Sequence, residues 1–166
     1  MANENMRTST TGMAALRRRE NISMRYYVDL ANNCTYGVGT LAHTGPCTAE
    51  ELRRPVTIAQ VNSQLANKVQ EAESTVRRHV RNQQLTQAQF DALVSFVYNM
   101  GPTGAATVLT SANSQTPNEV ATRISRAVYI HPRDAQGRRL APVRSQGVAN
   151  RRNEEAAPFQ RQQANR

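Results

Sequence analysis

The chain has 166 residues, with 21 lysines and arginines against 12 acids and a net charge of +9. That length predicts one domain whose core is large enough to need no staple, and 39% hydrophobic with 20% charged residues fits a polar globular protein. No apolar run approaches the roughly 18 residues of a membrane span, so no integral membrane association is expected. The polar stretch from Met1 to Thr11 lacks an apolar h-region, so no secretory signal peptide is expected either.

In chain order, residues 1–11 read as a flexible N-terminus. Gly12 to Arg19 has the composition of a short helix ending near Glu20-Asn21, where Asn is second to Gly as a left-handed terminator. Met24 to Val28 and Cys34 to Leu41 are β-rich runs around the turn pair Asn32-Asn33, which predicts a small hairpin. Thr57 to Gln60 is a capping box, and Val61, Leu65, Val69, Ala72, Val76 and Val80 follow at spacings of three and four. That pattern predicts one long helix from Ile58 to about Arg81, spanning ~36 Å at ~1.5 Å per residue. A second capping box, Thr86 to Gln89, opens a helix with Phe90, Leu93, Val94 and Val97 inward and Gly101-Pro102 as its stop. Thr116-Pro117 starts another, with Val120, Ile124, Ala127 and Val128 inward. A last helix begins near Ser145 and carries Arg151, Arg152, Glu154 and Glu155 before Pro158. Residues 160–166 read as a flexible tail. The outline is α+β and mostly helical, one domain over residues 12–159.

Lys68 is the sole lysine, and the arginines fall in pairs and triplets along the whole chain. Such a charge attracts polyanions: nucleic acid, anionic lipid or an anionic cell wall. Aromatic residues are only 5%, too few for the stacking surface of a single-strand binder, so no nucleic-acid partner is expected. Cys34 and Cys47 are thirteen residues apart with His43 between them. A zinc site would need a fourth ligand that the spacing does not supply. A disulfide fits an oxidising compartment, and two buried thiols are the favoured reading; no metal is expected.

Glu20, Asp29 and Thr35 fall in one early block. Glycoside hydrolysis needs one carboxyl to protonate the leaving oxygen and a second carboxylate to steady positive charge or activate water. The ordinary role of a lone Glu is a solvated carboxylate, here paired with Arg17. The spacing changes those odds. Glu20, nine residues to Asp29, six more to Thr35 and then Tyr36-Gly37-Val38-Gly39 resemble the active-site block of phage-type lysozymes, the glycoside hydrolase family 24 muramidases. Leu85 to Gly101 (LTQAQFDALVSFVYNMG) is similar to a long helix motif of that family, and Gly147 to Glu155 to its late Arg-Arg-x-x-Glu motif. The blocks come in family order and cover roughly residues 13–158. Two departures stand out: Asn21 replaces a glycine, and Thr40 replaces a histidine, with His43 three positions later.

The resemblance implies a lysozyme-like fold, with a small β-hairpin lobe and a helical lobe joined by the long helix and a sugar cleft between them. It implies Glu20 as general acid, Asp29 as second carboxylate and Thr35 as the group positioning water or the intermediate. Leu41 and Tyr98 align with positions lining the sugar cleft, and Arg151 with an arginine that contacts the catalytic Glu. Plain packing competes for Leu41 and Tyr98, and an i,i+4 pair with Glu155 for Arg151. The expected function is a muramidase cleaving the β-1,4 bond between N-acetylmuramic acid and N-acetylglucosamine in bacterial peptidoglycan, with no cofactor. A phage endolysin is the leading biology: a monomer made in the cytoplasm and acting on the wall after holin release. Alternatives are a secreted antibacterial effector with an immunity protein, and a non-catalytic wall-binding protein.

Overall fold

The computed structural model describes residues 1–114 and 116–160. Among them the elements run α1 (Thr10–Arg19), β1 (Ser23–Val28), β2 (Cys34–Gly37), β3 (Thr40–His43), α2 (Ala49–Arg53), α3 (Ile58–His79), α4 (Gln87–Asn113), α5 (Pro117–Arg126), β4 (Tyr129–Ile130), β5 (Val143–Arg144) and α6 (Gln146–Gln160). The class is α+β and mostly helical, as the sequence predicts. The chain divides into two compact units. One combines Arg17–Asn67 with Tyr129–Arg144 and holds the strands. The other combines Met1–Leu16, Lys68–Val128 and the chain from Ser145 onward.

In the sheet unit, β1, β2 and β3 form an antiparallel meander in sequence order. The run Cys34 to Leu41, expected as one strand, is two strands joined at Gly37-Val38-Gly39. Both glycines have positive φ, +62° and +77°, a region that is costly for any residue with a Cβ. Gly37 also lies against Gln64: a Cβ built there would be 2.0 Å from Gln64 Oε1, the atom that accepts from Val38 N at 3.3 Å. The register sets Tyr27 opposite Thr35 and Val28 opposite Cys34, with Thr35 opposite Leu41 on the other side. Asn32 takes the left-handed conformation (φ 60°). Asn21, expected to do so, does not: two residues later the chain is already strand β1, and the short link is served by a bend, not a reversal.

Two features of this unit escaped the sequence. Helix α2 is a single turn and a half, capped by Thr48 and Glu51, whose side chains and backbone N–H groups bond reciprocally. β4 and β5 pair only as Tyr129–Arg144 and Ile130–Val143 and bound an arginine-rich excursion. Neither is long enough to show a hydrophobic period.

In the helical unit the expected caps and stripes are present. Val69, Ala72, Val76 and Val80 are buried, as Val61 and Leu65 are in the sheet unit, and both capping boxes form, Thr57 with Gln60 and Thr86 with Gln89. The first half of α4 is buried on nearly every side, from Gln89 to Val97 apart from Asp91, so it is the central helix of its unit rather than an amphipathic one. At Gly101 (φ 73°, ψ 167°) the helix breaks. Pro102 then begins a second segment directly, since proline suits a first helical turn. α6 runs past Pro158 to Gln160, its last turn anchored by buried Phe159.

The N-terminus is not the loose segment expected. Asn3 is buried, its amide donating to Val80 O (2.9 Å) and Gln83 O (2.7 Å) while its oxygen accepts from Leu85 N (2.8 Å). Thr8 N and hydroxyl both donate to Glu73 Oε1 (2.7 and 2.8 Å), and Ser9 N donates to Asp91 Oδ1 (3.0 Å). Polar side chains, which composition counts as solvating, here satisfy backbone groups ahead of α1, after the end of α3 and in the link to α4. The tail expected at 160–166 lies outside the described residues beyond Gln160.

Candidate active site

Asp29 follows the last residue of β1 and opens the turn to β2. Its Oδ1 accepts from the backbone N–H of Ala31 (2.8 Å) and Asn33 (2.9 Å). This Asx-turn is the kind that Asp builds from its own side chain. Its Oδ2 accepts from the Thr35 hydroxyl at 3.0 Å. An ionised carboxylate is an acceptor only, so three donors fix both of its oxygens. Thr35 is 3% exposed. Asn33 O is a second, longer acceptor at 3.4 Å; when the proton goes to Asp29, the Thr35 oxygen keeps lone pairs that can accept from water.

Glu20 occupies the bend after α1 and is half-buried. The arginine expected to neutralise it, Arg17, instead donates to Asn62 Oδ1 at 2.8 Å. Both acids lie within electrostatic reach of Tyr27. The Tyr27 phenol is raised above its ordinary value, first by burial and then by the negative charges of Asp29 and Glu20. Tyr27 pairs with Thr35 across β1 and β2, so one residue of the hairpin both faces Thr35 across the sheet and feels the charges of Asp29 and Glu20. Leu41 is opposite Thr35 on the far strand and is 53% exposed, so it is not core. Leu30, in the Asp29 turn, is more exposed still.

Thr40, where the family resemblance has histidine, pairs with Tyr36, whose ring stacks on Tyr26 with centroids 4.7 Å apart. His43 is turned to α2. Its Nε2 is 3.0 Å from Glu51 Oε1, and its Nδ1 is 3.0 Å from Thr44 O. The bond to Thr44 and then the Glu51 carboxylate raise the His43 pKa. Glu51 is lowered to about 2 by the Thr48 N–H and then by His43.

Cys34 and Cys47 form a disulfide, which corrects the favoured reading of two thiols. Backbone pairing makes the bond: Cys34 N donates to Gly45 O at 2.7 Å and leaves the two Cα atoms 4.6 Å apart, within bridging range. The 129–144 excursion also reaches this site. Arg133 N donates to Leu30 O (3.3 Å), and Asn32 Nδ2 to Ala135 O (3.1 Å). Its tip is organised by Asp134, which accepts from the N–H groups of Gln136 and Arg138 and from Arg138 Nε (2.7 Å). The Arg138 N–H, above all, holds the Asp134 carboxyl below its ordinary value.

Tyr98 and Arg151 belong to the helical unit. Tyr98 is half-buried on α4, with Lys68 Nζ 5.0 Å from its ring centroid. Arg151 makes the i,i+4 bond to Glu155 Oε1 that its spacing predicts, at 2.9 Å, and donates to Ser95 O at 3.0 Å. Arg152 donates to the other Glu155 oxygen at 2.7 Å and to Ala127 O at 2.9 Å, with its guanidinium over the Phe96 ring. Arg152 and Glu155 are fully buried. The i,i+4 pair is therefore part of a buried triad, where removing one partner costs about 3–5 kcal/mol.

Residues 17–155 match the phage lysozyme family. The chain is 34% identical over 112 residues to the endolysin of Salmonella phage P22, a match covering 65% of this chain and 74% of that protein. Its fold is similar to the endolysin from Escherichia coli O157:H7 phage FAHEc1, with a TM-score of 0.73 and 26% identity, covering 93% of this chain and 94% of that one. It is also similar to the muramidase domain of SpmX from Asticaccaulis excentricus (TM-score 0.72, 93% and 98% covered), where 22% identity speaks for the fold alone.

Proposed function

The chain belongs to the phage lysozyme family and is a peptidoglycan muramidase, and on that premise we propose how its side chains divide the reaction. Glu20 is the general acid, giving its proton to the glycosidic oxygen as the bond to the anomeric carbon breaks. Positive charge develops on the ring carbon and oxygen. Asp29 is the base for the attacking water, and Thr35 holds that water. The Thr35 hydroxyl proton is committed to Asp29 Oδ2, so its oxygen accepts one water proton while the carboxylate takes the other. By family resemblance alone, Leu41 and Tyr98 are assigned to sugar rings and Arg151 to supporting the acid. Acid–base groups supply this chemistry unaided.

The 3.0 Å bond from Thr35 to Asp29 carries the reading. It places a buried hydroxyl and a carboxylate side by side on the hairpin whose Tyr27 also feels Glu20. The bond cleaved is the β-1,4 linkage between N-acetylmuramic acid and N-acetylglucosamine, as in glycoside hydrolase family 24. The protein acts as a monomer and as a phage endolysin, reaching the wall after holin release. A net charge of +9 draws it to an anionic wall, an attraction that salt weakens.

Digestion of purified peptidoglycan by wild type and Glu20→Gln, with fragments read by mass spectrometry, tests the roles. Wild type is expected to release reducing-end muropeptides. Glu20→Gln is expected to lose about 10²–10⁴ of the rate while keeping its melting temperature. A variant active to within a few-fold of wild type removes Glu20 as the acid. Anhydro-muropeptides from wild type remove the water-activating role of Asp29 and Thr35.

A further inference from the structure

The excursion bounded by β4 and β5 adds nothing to a core: none of residues 129–144 is buried. It is nonetheless ordered by its own hydrogen bonds. Asp134 N donates to Arg138 O (3.0 Å), Gly137 N to Asp134 O (2.9 Å) and Leu140 N to Pro132 O (2.8 Å). Arg133 Nη1 reaches Gly137 O at 2.7 Å. The Asp134 carboxylate closes the tip, its Oδ1 accepting from Gln136 N and Arg138 N at 2.9 Å each. Gly137 takes the left-handed conformation of this turn (φ 76°), which glycine adopts without cost from a Cβ. Order of this kind, with no apolar burial behind it, fixes where the backbone of Arg133 and Ala135 lies.

What that backbone meets is the turn that carries Asp29. From Asp29 to Asn33 the turn is closed upon itself. Asp29 N donates to Asn33 O (3.0 Å) and Asn32 N to Asp29 O (2.9 Å), while Asp29 Oδ1 takes the Ala31 and Asn33 N–H groups. These bonds set the shape of the turn and not its place. Leu30, its largest apolar side chain, is 73% exposed, so packing does not anchor it. At its base the turn runs into the Val28–Cys34 strand pair, and Gly45 N donates to Asn33 Oδ1 at 3.1 Å. At its tip the fastenings come from the excursion: Arg133 N to Leu30 O (3.3 Å) and Asn32 Nδ2 to Ala135 O (3.1 Å).

We infer that the 129–144 excursion is a brace for this turn, with Asn32 and Asp134 as positioning residues that act through Asp29. The inference rests on the reading of Asp29 as the base. In that role Asp29 holds the Thr35 hydroxyl with one oxygen and takes a proton from the water beside it, so its carboxylate needs a fixed direction. A turn released at its tip keeps its internal bonds and pivots about its base, carrying the carboxylate with it. Displacement by about 1 Å from a reacting geometry can cost about 10²-fold in rate. A site stays that precise only where the residues supporting it are themselves held. The carboxylate works on water and not on the bound glycan, so the loss falls on kcat rather than on KM.

Asn32→Gly removes the side-chain bond, changes no charge and suits the left-handed backbone at this position (φ 60°). On solubilised peptidoglycan its kcat is expected to fall about 10-fold, with KM within about twofold of wild type and the melting temperature nearly unchanged. The Ala31 and Asn33 amides should exchange with deuterium faster than in wild type, a readout independent of turnover. Asp134→Ala, which opens the tip, should lower kcat similarly. Asp134→Asn makes the same charge change but keeps an acceptor for the Gln136 and Arg138 N–H groups, and should recover most of the rate. Asp29→Asn is the reference: added to it, Asn32→Gly should have no further effect on the residual rate. Unchanged kcat in both Asn32→Gly and Asp134→Ala, beside an inactive Asp29→Asn, overturns the brace and leaves Asp29 as the base. Full additivity of Asn32→Gly with Asp29→Asn overturns action through Asp29. An Asp29→Asn variant active to within a few-fold of wild type overturns the base assignment itself, and the brace with it.

Discussion

The two units of this protein are stabilised in different ways. The helical unit buries a dense apolar set from α3 to α6, including Phe90, Leu93, Val94, Phe96, Val97, Leu109, Ile124 and Phe159, and it also buries the Arg151–Glu155–Arg152 triad. Among the described residues, the buried apolar side chains of the sheet unit are Cys34, Val38, Val56, Val61 and Leu65. What shapes that unit is local: the Asp29 and Asp134 turns, the Gly37-Val38-Gly39 turn, the Thr48 cap and a disulfide. The difference teaches where precision comes from when a core is thin. Side-chain-to-backbone bonds can fix a carboxylate and a hydroxyl without a large packed core behind them. The cost is sensitivity to single bonds.

The largest stability effect should lie in the helical unit. Glu155→Gln leaves two buried guanidinium groups without their counter-charge and should cost about 3–5 kcal/mol, read as a lower urea midpoint. A loss below about 1 kcal/mol would mean the triad is not insulated from water. Next comes reduction of Cys34–Cys47, which should cost up to about 3 kcal/mol for a loop of this size. Hydrogen exchange is the discriminating measurement: protection should fall in β2, β3 and α2 while α4 to α6 keep theirs. Equal loss in both units would erase the contrast drawn above.

Gly37→Ala should follow at about 1–2 kcal/mol, since it forces a Cβ into the left-handed region and toward Gln64. A double-mutant cycle with Gln64→Ala separates the two contributions, because the clash vanishes with the amide and the backbone strain does not. The smallest effect belongs to Asp134. Its carboxyl is held below the ordinary 3.8 in the folded chain, so its contribution is present above that value and is lost as pH falls through the folded pKa. Asp134→Asn should therefore lower the melting temperature slightly at neutral pH, and the gap to wild type should close on acidification. A gap that persists in acid would assign the turn's stability to shape rather than charge.

Much of the fold was legible because helices announce themselves locally. The stripe from Val61 to Val80 and the boxes at Thr57 and Thr86 need only neighbours in sequence to act. The candidate triad was legible as spacing, and Asp29 and Thr35 proved to be bonded because a single turn connects them. Asn3 and Glu155 show the limit. Each looks like an ordinary surface polar residue, and each is buried because partners some sixty to eighty residues away accept it.

The sequence by itself determined the helices, their caps, the charge and the spacing of the candidate acid–base residues, since these depend on interactions a few residues long. Tertiary structure alone decided which polar groups are buried, that the two cysteines join, that Leu41 is exposed while Arg152 is not, and that the 129–144 excursion reaches the Asp29 turn. Those outcomes rest on desolvation and on pairing between distant segments, and no local pattern encodes either.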